Sequence, residues 1–132
     1  MLFYVLCQLI GGVLGVIFAN MIFDLEIISI SNNKRLTIGV FISEIIATFG
    51  LLITILLVDK QKTEMVAPAV GLYIGAAYWF TSSTSFSNPA VTIARTLSNT
   101  FTGIIPLDVI PFIFAQLIGT LIVYFFYKHV YK

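Results

Sequence analysis

The stretch Ser87-Asn88-Pro89-Ala90-Val91-Thr92-Ile93-Ala94-Arg95 constrains this chain most, because it starts a helix in the middle of an otherwise apolar sequence. An Asn side chain accepts from a backbone N–H of a first helical turn, and Pro suits the first helical position, where no N–H is needed. A helix is therefore expected to begin at Pro89. It can run only to about Ser98 or Phe101 before Gly103, roughly 15 Å at ~1.5 Å per residue, or half a bilayer. The flanking segments are apolar enough to lie in a membrane, so this start is expected at membrane depth. Free N–H groups and the positive end of the helix dipole would face whatever passes there.

Composition supports that placement. Hydrophobic residues make up 59% of the 132, charged residues 10%, and the mean hydropathy is +1.04, a balance that places the chain among integral membrane proteins. A net charge of +1 offers no basic surface for nucleic acid. The single cysteine, Cys7, excludes an internal disulfide and reads as a small packed residue. The N-terminus is apolar from Leu2 with no basic leader and no small-residue cleavage pattern after Asn20, so a retained span is expected and no signal peptide.

The expected architecture is one all-α integral membrane domain over 1–132, with about four transmembrane helices and one re-entrant half-helix. Spans are expected at 2–23, 37–58, 65–81 and 105–127, with the hydroxyl-rich re-entrant loop and half-helix at 82–101. Residues 24–36 form a polar loop, and Asp108 caps or orients the start of the last span. Gly11-xxx-Gly15 and Gly71-xxx-Gly75 have the spacing that lets helices approach closely. Lys60, Lys62, Lys128 and Lys132 fall on one side of the membrane, opposite Lys34 and Arg35, which puts the C-terminus in the cytoplasm of a multi-pass cell-membrane protein. Tyr124, Tyr127 and Tyr131 suit an interfacial belt at that end, and His129, with no second His, reads as an interfacial side chain.

Two further features resist a packing explanation. Glu44 lies several residues inside the second span, where a carboxylate is costly and usually faces a polar interior. Gln8-Leu9-Ile10-Gly11 in the first span recurs as Gln116-Leu117-Ile118-Gly119 in the last, both early in a span, which makes those spans equivalent members of two repeats.

With Asn88-Pro89-Ala90 between a span and a half-helix, and QLIG-bearing spans at either end, the chain resembles the major intrinsic protein family of aquaporins and aquaglyceroporins. That family has two inverted repeats of three spans, each with a re-entrant loop ending in an Asn-Pro-Ala-capped half-helix, and the half-helices meet at the pore centre. The resemblance covers the third span of the first repeat and the whole second repeat. It implies that Glu44 supports the re-entrant loop by accepting from its N–H groups, directly or through water, with Thr48 one turn away.

It also implies a constriction arginine three residues after the Asn, where this chain has Val91; Arg95 comes one turn later, on nearly the same helix face. Carried over without gaps, the other filter positions are Ala76 and Ser85, with Tyr78 or Gly75 taking the place of Ala76 under a small shift. A wider, more apolar constriction follows, with Arg95 leaving a cation in the vestibule. The run Gly71-Leu72-Tyr73-Ile74-Gly75-Ala76-Ala77-Tyr78-Trp79-Phe80 leading into this motif is similar to a bacterial subgroup associated with arsenic-resistance genes. The implied activity is passive conduction of small uncharged solutes: water, glycerol, neutral arsenite or methylated arsenicals.

Relative to that family, the first two spans, the first half-helix and the first Asn-Pro-Ala are expected to be absent from the chain. Three expectations follow: a separate chain supplies the first repeat, the chain is a truncated relic, or it pairs with itself as a homo-oligomer. The contrasting class is a non-conducting membrane subunit that packs on a full-length homologue. Driven transport would need an ionisable coupling residue, for which Glu44 is the candidate. An enzyme is not expected, nor a cofactor or metal, since no nucleophile has a neighbouring His and no Cys/His cluster occurs.

Overall fold

A computed structural model describes residues 2–131. The helices are α1 (Leu2–Ile22), α2 (Ile38–Gln61), α3 (Val66–Phe80), α4 (Pro89–Ala94) and α5 (Pro106–Val130), with 3₁₀ turns at Thr63–Met65 and Arg95–Leu97 and no strand among the described residues. α1, α2 and α5 are long and apolar enough to cross a membrane. α3, at 15 residues, rises about 22 Å and follows directly on the 3₁₀ turn Thr63–Met65, within the 65–81 segment read as the third span. The chain divides into two compact units, one of residues 1–36 and 88–113, the other of 37–87 and 114–132, so α5 contributes to both.

In the first unit, α1 carries the short α4. Adding a Cβ to Gly12 would place it 3.1 Å from the Ala94 Cβ and 3.5 Å from the Ala90 carbonyl, so the absent side chain is what lets the two helices touch. Gly11 and Gly15, the pair picked out by spacing, have nothing within 4 Å at that point. The segment between α1 and α2 is a strap rather than a free polar loop. Ser29 and Ser31 N–H donate to the Leu97 and Thr96 carbonyls (3.1 and 2.8 Å), and Ile105 N–H donates to the Asn33 carbonyl (2.9 Å). Asp108 does not cap its own helix; its Oδ2 accepts from Arg35 N–H at 2.7 Å and Leu36 N–H at 2.9 Å, ending the strap. Arg35 adds hydrogen bonds to the Gly103 carbonyl (2.6 Å) and the Phe101 carbonyl, so one guanidinium satisfies acceptors left free by irregular backbone.

In the second unit, Thr37 caps α2 by accepting from Val40 N–H at 3.1 Å. α2 and α5 meet at Gly119, where an added Cβ would lie 2.8 Å from the Ile45 carbonyl and 3.0 Å from the Thr48 Cβ. Phe49 and Phe126 pack edge to face beside it, 5.8 Å between centroids. α2 and α3 meet where the Tyr73 hydroxyl crosses Gly50 to donate to the Ala47 carbonyl at 2.9 Å. Gly71 and Gly75 face open space.

These contacts separate glycines that pack from glycines that do not. Gly119→Ala is expected to lower stability by about 1–3 kcal/mol through overpacking, whereas Gly11→Ala, with no neighbour to meet, should be neutral or slightly stabilising. Thermal midpoints of the two variants in detergent check this; equal losses would contradict it.

Candidate functional site

Each of the two units holds a candidate functional element, a buried loop in the second and a capped half-helix in the first. In the second unit, the loop after α3 is buried although it is made of hydroxyl residues, with Ser83, Thr84, Ser85 and Phe86 all buried. Thr84, Ser85 and Ser87 have φ of 61°, 48° and 50°, a left-handed conformation that side chains bearing a Cβ resist. Each such residue costs on the order of 1–3 kcal/mol, so something must hold the loop.

Glu44 holds it. Its side chain is fully buried, Oε1 accepts from Ser87 N–H at 2.6 Å and Oε2 from Phe86 N–H at 3.3 Å. Gln116 on α5 donates its amide to Oε1 at 2.8 Å. Hydrogen bonds to a charged group are worth about 1.5–3 kcal/mol each, so all three contribute to holding the strained loop. Around the carboxylate, Ser83 N–H donates to Ser43 Oγ at 3.4 Å, Ser85 N–H to Ser83 Oγ at 3.2 Å, and the Ser85 and Ser87 hydroxyls pair at 3.0 Å. Thr48 is buried one turn from Glu44. Its hydroxyl has no hydrogen-bond partner among the described residues, and its Cβ is what Gly119 accommodates.

In the first unit, the residue after Ser87 begins the half-helix. Asn88 has extended backbone (φ −154°, ψ 124°), and its Oδ1 accepts from Ala90 N–H at 2.8 Å, while Pro89 has no N–H to satisfy. With Oδ1 occupied, Nδ2 is left as a donor and reaches Gln8 Oε1 on α1 at 3.4 Å. The α-helical part is only six residues, extended by the 3₁₀ turn to Leu97. Its exit is tied back to α1: Asn20 Nδ2 donates to the Leu97 carbonyl at 3.3 Å, and Ser98 Oγ donates to Asn20 Oδ1 at 2.8 Å.

Among the residues singled out by sequence, Asn88, Pro89, Ala90, Val91 and Arg95 share this one short element. Val91 and Arg95, four apart and both partly exposed, lie on one face of it. Ser85 is buried in the loop of the second unit, and Ala76 and Tyr78 are exposed on either side of the buried Ala77 on α3. Gln8, Asn20 and Gln116 were not singled out as site residues. Their signal was present, since each is an amide inside an apolar run and two of them begin the QLIG repeat.

With this geometry in place, relatives can be compared. The aquaglyceroporin AqpS of Rhizobium meliloti (strain 1021) is 47% identical over 116 residues, 88% of this chain and 50% of that protein. The chain belongs to the major intrinsic protein family. It spans about half the length of the curated relative it matches. No protein-family model and no solved structure matches it. Three membrane-competent helices make it a multi-pass membrane protein with a partial aquaporin-like, all-α fold.

The carboxylate's role gives a direct test. Glu44→Leu should cost about 3 kcal/mol or more, because two loop N–H groups and the Gln116 amide lose their acceptor together, and Glu44→Gln should fall between it and the parent chain. Thermal unfolding in detergent measures this, and a midpoint unchanged in Glu44→Leu would show that the loop is held by other means.

Proposed function

We propose that this chain forms one half of a passive membrane pore for small uncharged solutes, completed by a second half from outside the described residues. The observation that carries the reading is the Asn88 cap. An amide donor stands at the positive end of a half-helix whose preceding loop is fixed by a buried carboxylate. Such an end stabilises a passing oxygen acceptor and opposes a cation, and the half-helix keeps that donor in place without a moving part. A major intrinsic protein relative named as an aquaglyceroporin supports the same class of solute.

Within that class, Val91 at the position of the selective arginine favours solutes larger than water, such as glycerol, neutral arsenite or methylated arsenicals. Arg95, one turn on, leaves a cation in the vestibule. The second half comes from a separate chain or a homo-oligomer, and the lysine excess at the end of α5 favours a cytoplasmic C-terminus in the cell membrane. A non-conducting subunit is the second reading; the exposed Gly11, Gly15, Gly71 and Gly75, open to close approach by another helix, favour it.

Flux measurements separate the two. The purified chain alone in liposomes should pass glycerol and arsenite no faster than empty vesicles do, and flux above that background would refute the need for a second half. In a completed pore, Val91→Arg should lower glycerol flux relative to water on the order of tenfold, the factor that about 1.4 kcal/mol of added barrier produces. An unchanged ratio would remove Val91 from the filter.

A further inference from the structure

In the first unit, the segment after the half-helix carries a row of hydroxyls whose hydrogen-bond direction is fixed by one amide. Asn20, near the end of α1, is buried and gives its side-chain nitrogen to the Ile27 and Leu97 carbonyls at 3.1 and 3.3 Å. Both partners only accept, so that end of the amide is Nδ2 and the other end, Oδ1, is an acceptor. The Ser98 hydroxyl, 2.8 Å away, therefore donates to it. With its one proton spent, Ser98 accepts from Thr100 at 3.1 Å, and Thr100, its own proton spent in turn, accepts from Thr102 at 3.1 Å. Every proton in the row is directed toward Asn20, and what the row has left to offer is lone pairs.

That row lies along a two-lobed concavity. One lobe, about 140 Å³, is polar and adds the Glu26 carboxylate and the Ser29 hydroxyl to Ser98 and Thr100. Asn99 also lines it; its Oδ1 is taken by Asn32 N–H at 3.0 Å, so its Nδ2 is a donor. The other lobe, about 450 Å³, is mostly apolar, with Ala19, Phe23 and Phe101 in its wall. The lobes share Asn20, Leu25, Ser98 and Thr100, so they are continuous. α1 is 21 residues long, a rise of roughly 31 Å or about one hydrocarbon thickness, so Ala19 and Phe23 at its end stand at the level of lipid headgroups.

We propose that this concavity is a docking site for a phospholipid whose head ends in a primary ammonium, an ethanolamine phospholipid. A primary ammonium brings three donors and a positive charge to a lobe of acceptors whose one charge is the Glu26 carboxylate. A trimethylammonium head brings the same charge but no donor, and a phosphoglycerol head brings net negative charge against Glu26. The apolar lobe takes the upper part of an acyl chain beside Phe23. The phosphate between head and chain meets a cation there, because the Arg35 guanidinium stands 5.9 Å over the ring of Phe101. A free amine would fill only the smaller lobe, whereas two continuous lobes of opposite polarity call for a head and a chain joined in one molecule. The site lies within one unit and does not depend on solute passage.

The test exchanges the full chain, purified in detergent, with an equimolar mixture of ethanolamine, choline and glycerol phospholipids carrying identical acyl chains, and quantifies the retained lipid by mass spectrometry. The ethanolamine lipid should be retained about fivefold over the choline lipid, the difference being hydrogen-bond donors at equal charge. Equal retention of the two, or preference for the glycerol lipid, overturns the site. Displacement of the bound lipid by an equimolar amount of free ethanolamine would place recognition in the head alone and overturn a lipid as occupant.

Glu26→Gln, at an exposed position, should lower the ethanolamine-to-choline ratio at least about twofold with the thermal midpoint unchanged. Glu64→Gln, an exposed acid in the turn between α2 and α3, should leave the ratio as it is. Thr100→Val, which removes one acceptor of the row, should lower the ratio as well. A ratio unchanged in both Glu26→Gln and Thr100→Val, or lowered equally by Glu64→Gln, would overturn the concavity as the site of the lipid.

Discussion

One buried carboxylate makes the rest of this arrangement possible. The loop before the half-helix is irregular backbone at the depth of membrane-crossing helices, where unsatisfied N–H groups cost several kcal/mol each by general estimate. Three of its residues also adopt left-handed conformations without being glycine. Glu44 answers both demands at once, taking the N–H groups of Phe86 and Ser87 and being held in turn by Gln116. Fixing the Ser87 N–H therefore fixes the end of that loop. Within the first unit, the Asn88 amide is directed by Ala90 N–H on its oxygen and Gln8 on its nitrogen.

The half-helix itself is too short to be stable by its own hydrogen bonds. Isolated helices under about 12–15 residues are marginal even with favourable sequences, and α4 has six. Its persistence comes from tethers at both ends and a close wall: Gln8 and the Asn88 cap at the start, Gly12 along its side, Asn20 and the strap of residues 29–36 at the exit. A pore of the kind proposed would rely on this rigidity, because a donor free to rotate would also solvate what it should repel.

Local chemistry made part of this legible in the sequence. Asn88-Pro89 writes its own helix start, since capping and the missing proline N–H depend on neighbouring residues alone. Glu44 was conspicuous because a carboxylate in an apolar run needs partners. Which glycines pack was not legible: Gly11 and Gly12 are adjacent in sequence but point about 100° apart on a helix, and only the rotation of α1 against α4 chooses between them. The strap escaped notice for a related reason. Its residues look like any polar loop until the carbonyls of residues 96–103 and the Asp108 carboxylate are brought to it across some 70 positions of chain.

By itself, then, the sequence determined that the chain is an all-α membrane protein with a half-helix beginning at Pro89 and a carboxylate that must be satisfied inside a span. Each of these follows from composition, periodicity or contacts between near neighbours. Only the tertiary structure decided what satisfies that carboxylate, that Asp108 ends a strap instead of capping α5, and that the Thr48 Cβ packs where Gly119 leaves room. Those outcomes depend on how each helix is rotated about its axis and how closely its neighbours approach, and neither is encoded in the local pattern of residues.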